Sequence, residues 1–184
     1  MSKPIITVII PAYNEEQSIG KVVNDISRNI VDHVIVVNNN SNDTTVEVAK
    51  KAGAIVLDEP RRGYGWACLK GIEHSKTLKT DIVVFLDGDY SDYPQEIPDV
   101  LAPIFETDMD MVIGSRVLGK REKGSLTPQQ VFGNWLATKL IRLFYGAKFT
   151  DLGPFRAIKS TSLEQLKMSD KTYGWTIEMQ IKAA

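Results

Sequence analysis

Three carboxylates, Asp87, Asp89 and Asp92, close the apolar run in "FLDGDYSDYP", with Gly88 between the first two. So much like charge at the end of a buried strand calls for a cation. Carboxylates two apart lie on one side of an extended segment, and Gly88 keeps that side open. Asp87 and Asp89 therefore suit a hard divalent cation, Mg2+ or Mn2+, and a ribose hydroxyl beside it. The competing reading is a solvated turn, with Tyr90 and Asp92 packing or capping the next helix.

Other clusters carry further chemistry. In "NNNSNDTT" the amides of Asn38 and Asn39 offer donors and acceptors to a base or ribose, whereas Ser41, Asn42 and Asp43 read as caps of the following helix. "EPRRGYGWACLKG" places Arg61, Arg62 and two glycines before a helix, an arrangement for a phosphate group or a plain surface turn. Arg116 and Arg156 adjoin or sit within apolar strand-like stretches, where an unpaired cation is costly, so each is either an anion clamp or half of a salt bridge. Trp175 in "YGWT" offers a ring face to a sugar, and Trp135 packs along its helix. His33 and His74 show no metal spacing. Neither a P-loop nor a dinucleotide GxGxxG fingerprint occurs, which argues against ATPase and dehydrogenase activities.

The elements that must position these groups follow from periodicity. Apolar β-branched runs at 5–10, 33–37, 54–57, 81–86 and 110–114 read as buried strands, and the segments between them have helical spacing. This alternation predicts an α/β fold with a mostly parallel central sheet and helices on both faces. In such sheets ligands bind beyond the carboxyl ends of the strands. The polar clusters "PAYNEE", "NNNSND", "EPRRGYG", "DGDYSD" and "GSR" each follow one strand, as that rule requires. Beyond Arg116, "LGKREKGSLTP" is a candidate loop beside the site. The stretch at 129–146 reads as a helix with a wide apolar face, for the core or for a lipid surface.

The chain has 184 residues, enough for one domain that buries roughly 70% of its unfolded surface. The domain is expected to span 1–184. The final helical pattern lacks a cap or breaker, which reads as a missing C-terminal continuation. Hydrophobic residues make up 43%, charged residues 24%, and the formal net charge is −1. Nothing in that balance points to nucleic acid. A single cysteine, Cys68, and no secretory signal suggest a cytoplasmic protein, at most touching the inner face of a membrane. No apolar run approaches the ~20 residues that cross a bilayer.

Taken in order, "VIIPAYNEE", "VVNNNSNDTT", "RRGYGWA", "VVFLDGDYSDYP", "VIGSR", "DLGPFRAI" and "YGWTIEMQIKA" resemble the family-two glycosyltransferases of the GT-A fold, a Rossmann-like architecture. Within that family they resemble the dolichyl- or polyprenyl-phosphate sugar synthase branch. The resemblance implies that Pro11, Ala12, Tyr13 and Glu15 line the nucleotide pocket. It puts Asn39 where the family has a base-contacting acid, and Asp87 and Asp89 on the family's DxD, the second as direct metal ligand. It further implies that Arg116 meets the diphosphate or the acceptor, that Arg156 clamps an acceptor phosphate, and that Glu178 holds an acidic position before the final helices. The family usually reads Asp-Asp-Gly-Ser or Asp-Asn-Gly-Ser where this chain has Asn38, Asn39, Asn40 and Ser41.

The expected reaction is an inverting, metal-dependent transfer of a hexose from a UDP- or GDP-sugar to a polyprenyl phosphate. A phosphate acceptor is already largely ionised at neutral pH and needs no base. A hydroxyl acceptor, the alternative, needs a carboxylate base, for which Asp151 and Glu178 are the candidates. A non-catalytic sugar-nucleotide binding module and a nucleotidyltransferase are the remaining readings.

Overall fold

The β-branched run Ile6–Ala12 forms strand β1, with all seven residues buried. It is followed by α1 (Ile19–Asp25), β2 (His33–Asn38), α2 (Thr45–Lys51), β3 (Ile55–Asp58), α3 (Tyr64–Thr77) and β4 (Ile82–Phe85). A short 3-10 turn (Pro94–Glu96) then leads to α4 (Ile97–Glu106), β5 (Met111–Ile113), α5 (Pro128–Tyr145), β6 (Arg156–Lys159), α6 (Ser160–Leu166) and α7 (Trp175–Ala183). The computed structural model describes residues 3–115 and 128–184. Arg116 and most of the candidate loop that follows it lie outside the described residues.

One six-stranded sheet runs in the order β3-β2-β1-β4-β6-β5. β1 pairs in parallel with β2 and with β4, and β2 in parallel with β3. β6 is the exception, antiparallel to both β4 and β5. The sheet is therefore mostly parallel, as the alternation predicts. The added strand is "RAIK", four residues with a charge at each end, too polar to match the other runs.

Alternation within the strands divides the core into two layers. Ile6, Val8, Ile10 and Ala12 pack with Val34, Val36 and Val84 against the apolar sides of α1, α2 and α4. Ile9, Ile35, Val83, Phe85 and Ile158 point the other way, onto Ala67 and Cys68 of α3 and Trp175 and Met179 of α7. Trp175 is buried there, edge-on to Phe85 with ring centroids 6.2 Å apart. The sugar-facing role expected of it is thereby corrected: its ring is core. The opposite holds on α5, where Trp135, Leu140, Leu143 and Phe144 are exposed and Ile141 is buried. Among the described residues no helix is long and apolar enough to cross a membrane.

Candidate functional site

The carboxyl ends of β1, β2 and β4 open on a cavity of about 360 Å³. Pro11, Ala12 and Tyr13 supply one wall from the end of β1, with Glu15 beyond them. Asp87, Gly88 and Asp89 follow β4 on the adjacent side, and Asn39 enters from the end of β2. Arg62 and the first turn of α3 complete the lining with Tyr173, from the loop before α7. Eight residues expected from the sequence thus meet at one place: Pro11, Ala12, Tyr13, Glu15, Asn39, Arg62, Asp87 and Asp89.

Local contacts set the Asn39 and Arg62 side of the cavity. The Asn39 amide is buried and donates to the carbonyls of Glu59 (3.2 Å) and Arg61 (2.7 Å), while its oxygen accepts the Gly63 N–H at 2.8 Å. That pattern fixes which way the amide points and shapes the 59–63 turn. Arg61 turns away from the cavity to form an ion pair with buried Glu59 at 2.7 Å, its guanidinium 3.5 Å above the Trp66 ring. The hydrogen bond from Arg61 holds the Glu59 carboxyl below the usual range. Arg62, left facing the cavity, lies 5.3 Å from the Tyr13 ring.

The carboxylate pair is asymmetric. Asp87 is half-buried and accepts the Tyr64 hydroxyl at 3.0 Å, while its backbone N–H donates to Asp92 at 3.4 Å. Asp92 therefore supports the turn from behind. Asp89 is exposed and accepts the Ser91 N–H at 2.9 Å. Tyr90 adopts a left-handed backbone (φ 65°), costly for a bulky residue, and its hydroxyl bonds to Asp25. Burial, with Cys68 and Asp87 nearby, pushes the Tyr64 phenol well above its ordinary pKa, so it stays a donor.

Two hard carboxylates in one cleft fit Mg2+ or Mn2+ of the kind that completes its shell with substrate phosphate oxygens and water. Among the described residues no group of three or more His, Cys, Asp or Glu forms a full metal cage. The donor set thus suits a metal that arrives with a diphosphate.

The remaining expected residues stand elsewhere. Asn38 donates to Asp58 at 2.9 Å and accepts the Ser41 N–H at 3.0 Å, closing the ends of β2 and β3 rather than facing the cavity. Arg156 is buried and spends its guanidinium on the carbonyls of Leu152, Gly153, Pro154 and Thr176. Burial lowers its pKa to about 10, against the pull of Tyr64, Cys68, Asp87 and Asp151 around it. It is a cation under the floor of the site, and the expected acceptor clamp is corrected on that ground. Asp151, also buried, is among the carboxylates that Arg156 compensates, and its own carbonyl accepts from Gln180 at 2.8 Å. Neither residue lines the cavity.

Glu178 is likewise not placed as a base. It accepts from the Ser169 N–H and hydroxyl and from the Asp170 N–H, and pairs with Lys182 at 2.7 Å. Burial would raise its pKa, but the bonds from Lys182, Ser169 and Asp170 override that and hold it at about 2. Its function is to clasp the 169–174 loop. That loop presses on the start of α3, where the N–H groups of Gly65 and Trp66 donate to the carbonyls of Thr172 and Lys171. A Cβ on Gly63 would lie 2.1 Å from the Lys171 oxygen, and one on Gly65 2.2 Å from that of Asp170. Glycine is therefore required at both positions.

Tyr64 and Tyr173 are the polar cavity residues that sequence reasoning missed. The first stands directly after the Arg-Arg-Gly signal. The second, 87% exposed, sits two residues before the tryptophan that drew attention instead.

A family model described as glycosyl transferase family 2 matches residues 7–167. A low-salt glycan biosynthesis hexosyltransferase of Haloferax volcanii is 31% identical over 186 residues, covering 98% of this chain and 44% of the relative. A UDP-N-acetylglucosamine–dolichyl-phosphate N-acetylglucosaminyltransferase of Methanococcus voltae is 28% identical over 90% of this chain and 74% of its own length. Among solved structures, glucosyl-3-phosphoglycerate synthase of Mycobacterium tuberculosis, in complex with Mn2+, UDP-glucose and phosphoglyceric acid, superposes with TM-score 0.74 at 26% identity. That match covers 95% of this chain and 63% of the synthase. The fold is the GT-A fold. The expected polyprenyl phosphate acceptor is corrected by this structural likeness, since the matching synthase carries phosphoglyceric acid and not a lipid phosphate.

Proposed function

This chain belongs to glycosyl transferase family 2, and from that membership we propose that its cleft transfers a hexosyl group from a UDP-sugar to an alcohol group of a small-molecule or glycan acceptor. The observation that carries the proposal is the convergence of Asp87, Asp89, Arg62 and Asn39 on one cavity at the carboxyl edge of the sheet. Carboxylates for a metal, a guanidinium for phosphate and an amide for a base are the three recognition elements that a nucleotide diphosphate sugar needs.

Each side chain has a role in this reading. Asn39 gives both amide hydrogens to carbonyls and keeps acceptor capacity on its oxygen, which suits the imide N–H of uracil. Pro11, Ala12 and Tyr13 form the wall beside the base and ribose. Arg62 orients the diphosphate. Asp87 and Asp89 would hold the divalent cation, which supplies the charge that neutralises the departing diphosphate. An alcohol acceptor must lose a proton, and the carboxylates that line the cavity are Glu15, Asp87 and Asp89. Support for UDP as the nucleotide comes from the relatives, one solved with UDP-glucose and one named for a UDP-sugar.

Incubation with UDP-glucose, Mn2+ and a panel of alcohol-bearing acceptors, phosphoglyceric acid included, tests the proposal. The expected result is release of UDP matched by a hexosylated acceptor in the mass spectrum. Tight UDP-glucose binding with no product from any acceptor would refute transfer and leave a binding module.

A further inference from the structure

We propose that Tyr64 is a positioning residue for the metal: its phenol fixes the Asp87 carboxylate in the orientation that receives a divalent cation together with the diphosphate. This inference rests on the proposed function and deepens it. The two residues line the same cavity, and the hydroxyl donates to Asp87 Oδ1 at 3.0 Å. A carboxylate's terminal torsion is soft, so an Asp beside a second carboxylate keeps no fixed aim unless something holds it. Asp89 is exposed and held within its own turn by the Ser91 N–H, whereas Asp87 is held across the cleft from α3.

The pin is itself anchored. Tyr64 is the first residue of α3, and the residues around it are tied on both sides. Gly63 donates to Asn39 at 2.8 Å, Gly65 to the Thr172 carbonyl at 3.1 Å and Trp66 to the Lys171 carbonyl at 3.2 Å. The phenol therefore links the Asn39 end of the cleft and the 169–174 loop to the metal end. A neutral donor suits the task better than a cation, because it orients Asp87 while leaving the charge that draws the metal in. Partners of this kind, one bond removed from a metal, typically change its affinity by about 10–100-fold.

The test uses the full chain and Tyr64→Phe, which keeps the ring and removes the hydroxyl. Mn2+ is titrated calorimetrically into each protein saturated with UDP, UDP is titrated without metal, and ligand-free melting is recorded. The expected result is an Mn2+ affinity lower by roughly 10-fold or more, with metal-free UDP affinity and melting temperature preserved. Unchanged Mn2+ affinity overturns the inference. So does an equal loss of metal-free UDP binding, which would make Tyr64 a wall of the nucleotide pocket, or loss of the fold, which would make its role structural. A wild-type protein that takes up neither UDP nor Mn2+ refutes the proposed function itself, and is recognised before any variant is compared.

Discussion

Replacing Glu178 with glutamine separates a loop clasp from a catalytic base. The carboxylate gathers the Ser169 N–H at 2.9 Å, the Ser169 hydroxyl at 2.7 Å, the Asp170 N–H at 2.8 Å and the Lys182 ammonium at 2.7 Å. Its pKa falls from 4.5 to about 2 in the folded chain. That difference corresponds to about 3 kcal/mol of folding stability, since each pH unit between folded and unfolded pKa is worth about 1.4 kcal/mol. A depressed carboxylate pKa contributes stability that is fully present above pH 4.5 and is lost as pH falls through about 2. Urea unfolding of the wild type and Glu178→Gln is therefore expected to differ by about 2–3 kcal/mol at pH 7, the gap closing between pH 4.5 and 2. Taking the difference between the two proteins cancels the other carboxylates. Equal stability at pH 7, or a gap that persists unchanged at pH 2.5, would show that the Glu178 carboxylate does not hold the loop. A base would behave differently, with turnover falling by orders of magnitude and stability retained.

Three further substitutions probe the same framework. Gly65→Ala puts a Cβ 2.2 Å from the Asp170 carbonyl oxygen, so melting is expected to show a loss of about 1–3 kcal/mol together with weaker nucleotide binding. Arg156→Met leaves the carbonyls at 152–154 and 176 without their donor and removes the buried cation beside Asp151, at an expected cost of about 3–5 kcal/mol in urea unfolding. A folded Arg156→Met protein with unchanged stability and lost acceptor affinity would restore the clamp. Asn39→Asp sets a carboxylate against the carbonyls of Glu59 and Arg61 where amide hydrogens now point, and about 1–3 kcal/mol of stability is expected to go, read by thermal melting.

The strand-ending polar clusters were legible because parallel strands deliver their loops to one edge, so order along the chain becomes proximity in space. That logic brought Tyr13, Asn39, Arg62, Asp87 and Asp89 to one cavity correctly. It failed where the chain reverses. β6 runs antiparallel, so Arg156 at its start pairs opposite Phe85 at the carboxyl end of β4, yet its side chain enters the core side and not the cavity. Nothing in "GPFRAI" discloses which face an arginine takes, because that depends on register against β4 and on carbonyls supplied by the preceding turn. Glu178 misled for a related reason: a carboxylate one turn into a helix looks alike whether its partners are a substrate or the N–H groups of residues eight and nine positions earlier. The choice of asparagine over aspartate at position 39, by contrast, acquires a cause in the structure, since two carbonyl oxygens oppose any carboxylate there.

The most direct test of the central claim is calorimetric titration of UDP-glucose, with GDP-mannose as control, with and without Mn2+, into the wild type and Asp89→Asn. Binding of UDP-glucose is expected to strengthen with Mn2+, the guanine nucleotide to bind weakly, and the metal effect to be lost in the variant. Failure of UDP-glucose to bind, or UDP-glucose binding indifferent to both Mn2+ and Asp89, would contradict a metal-dependent nucleotide-sugar site.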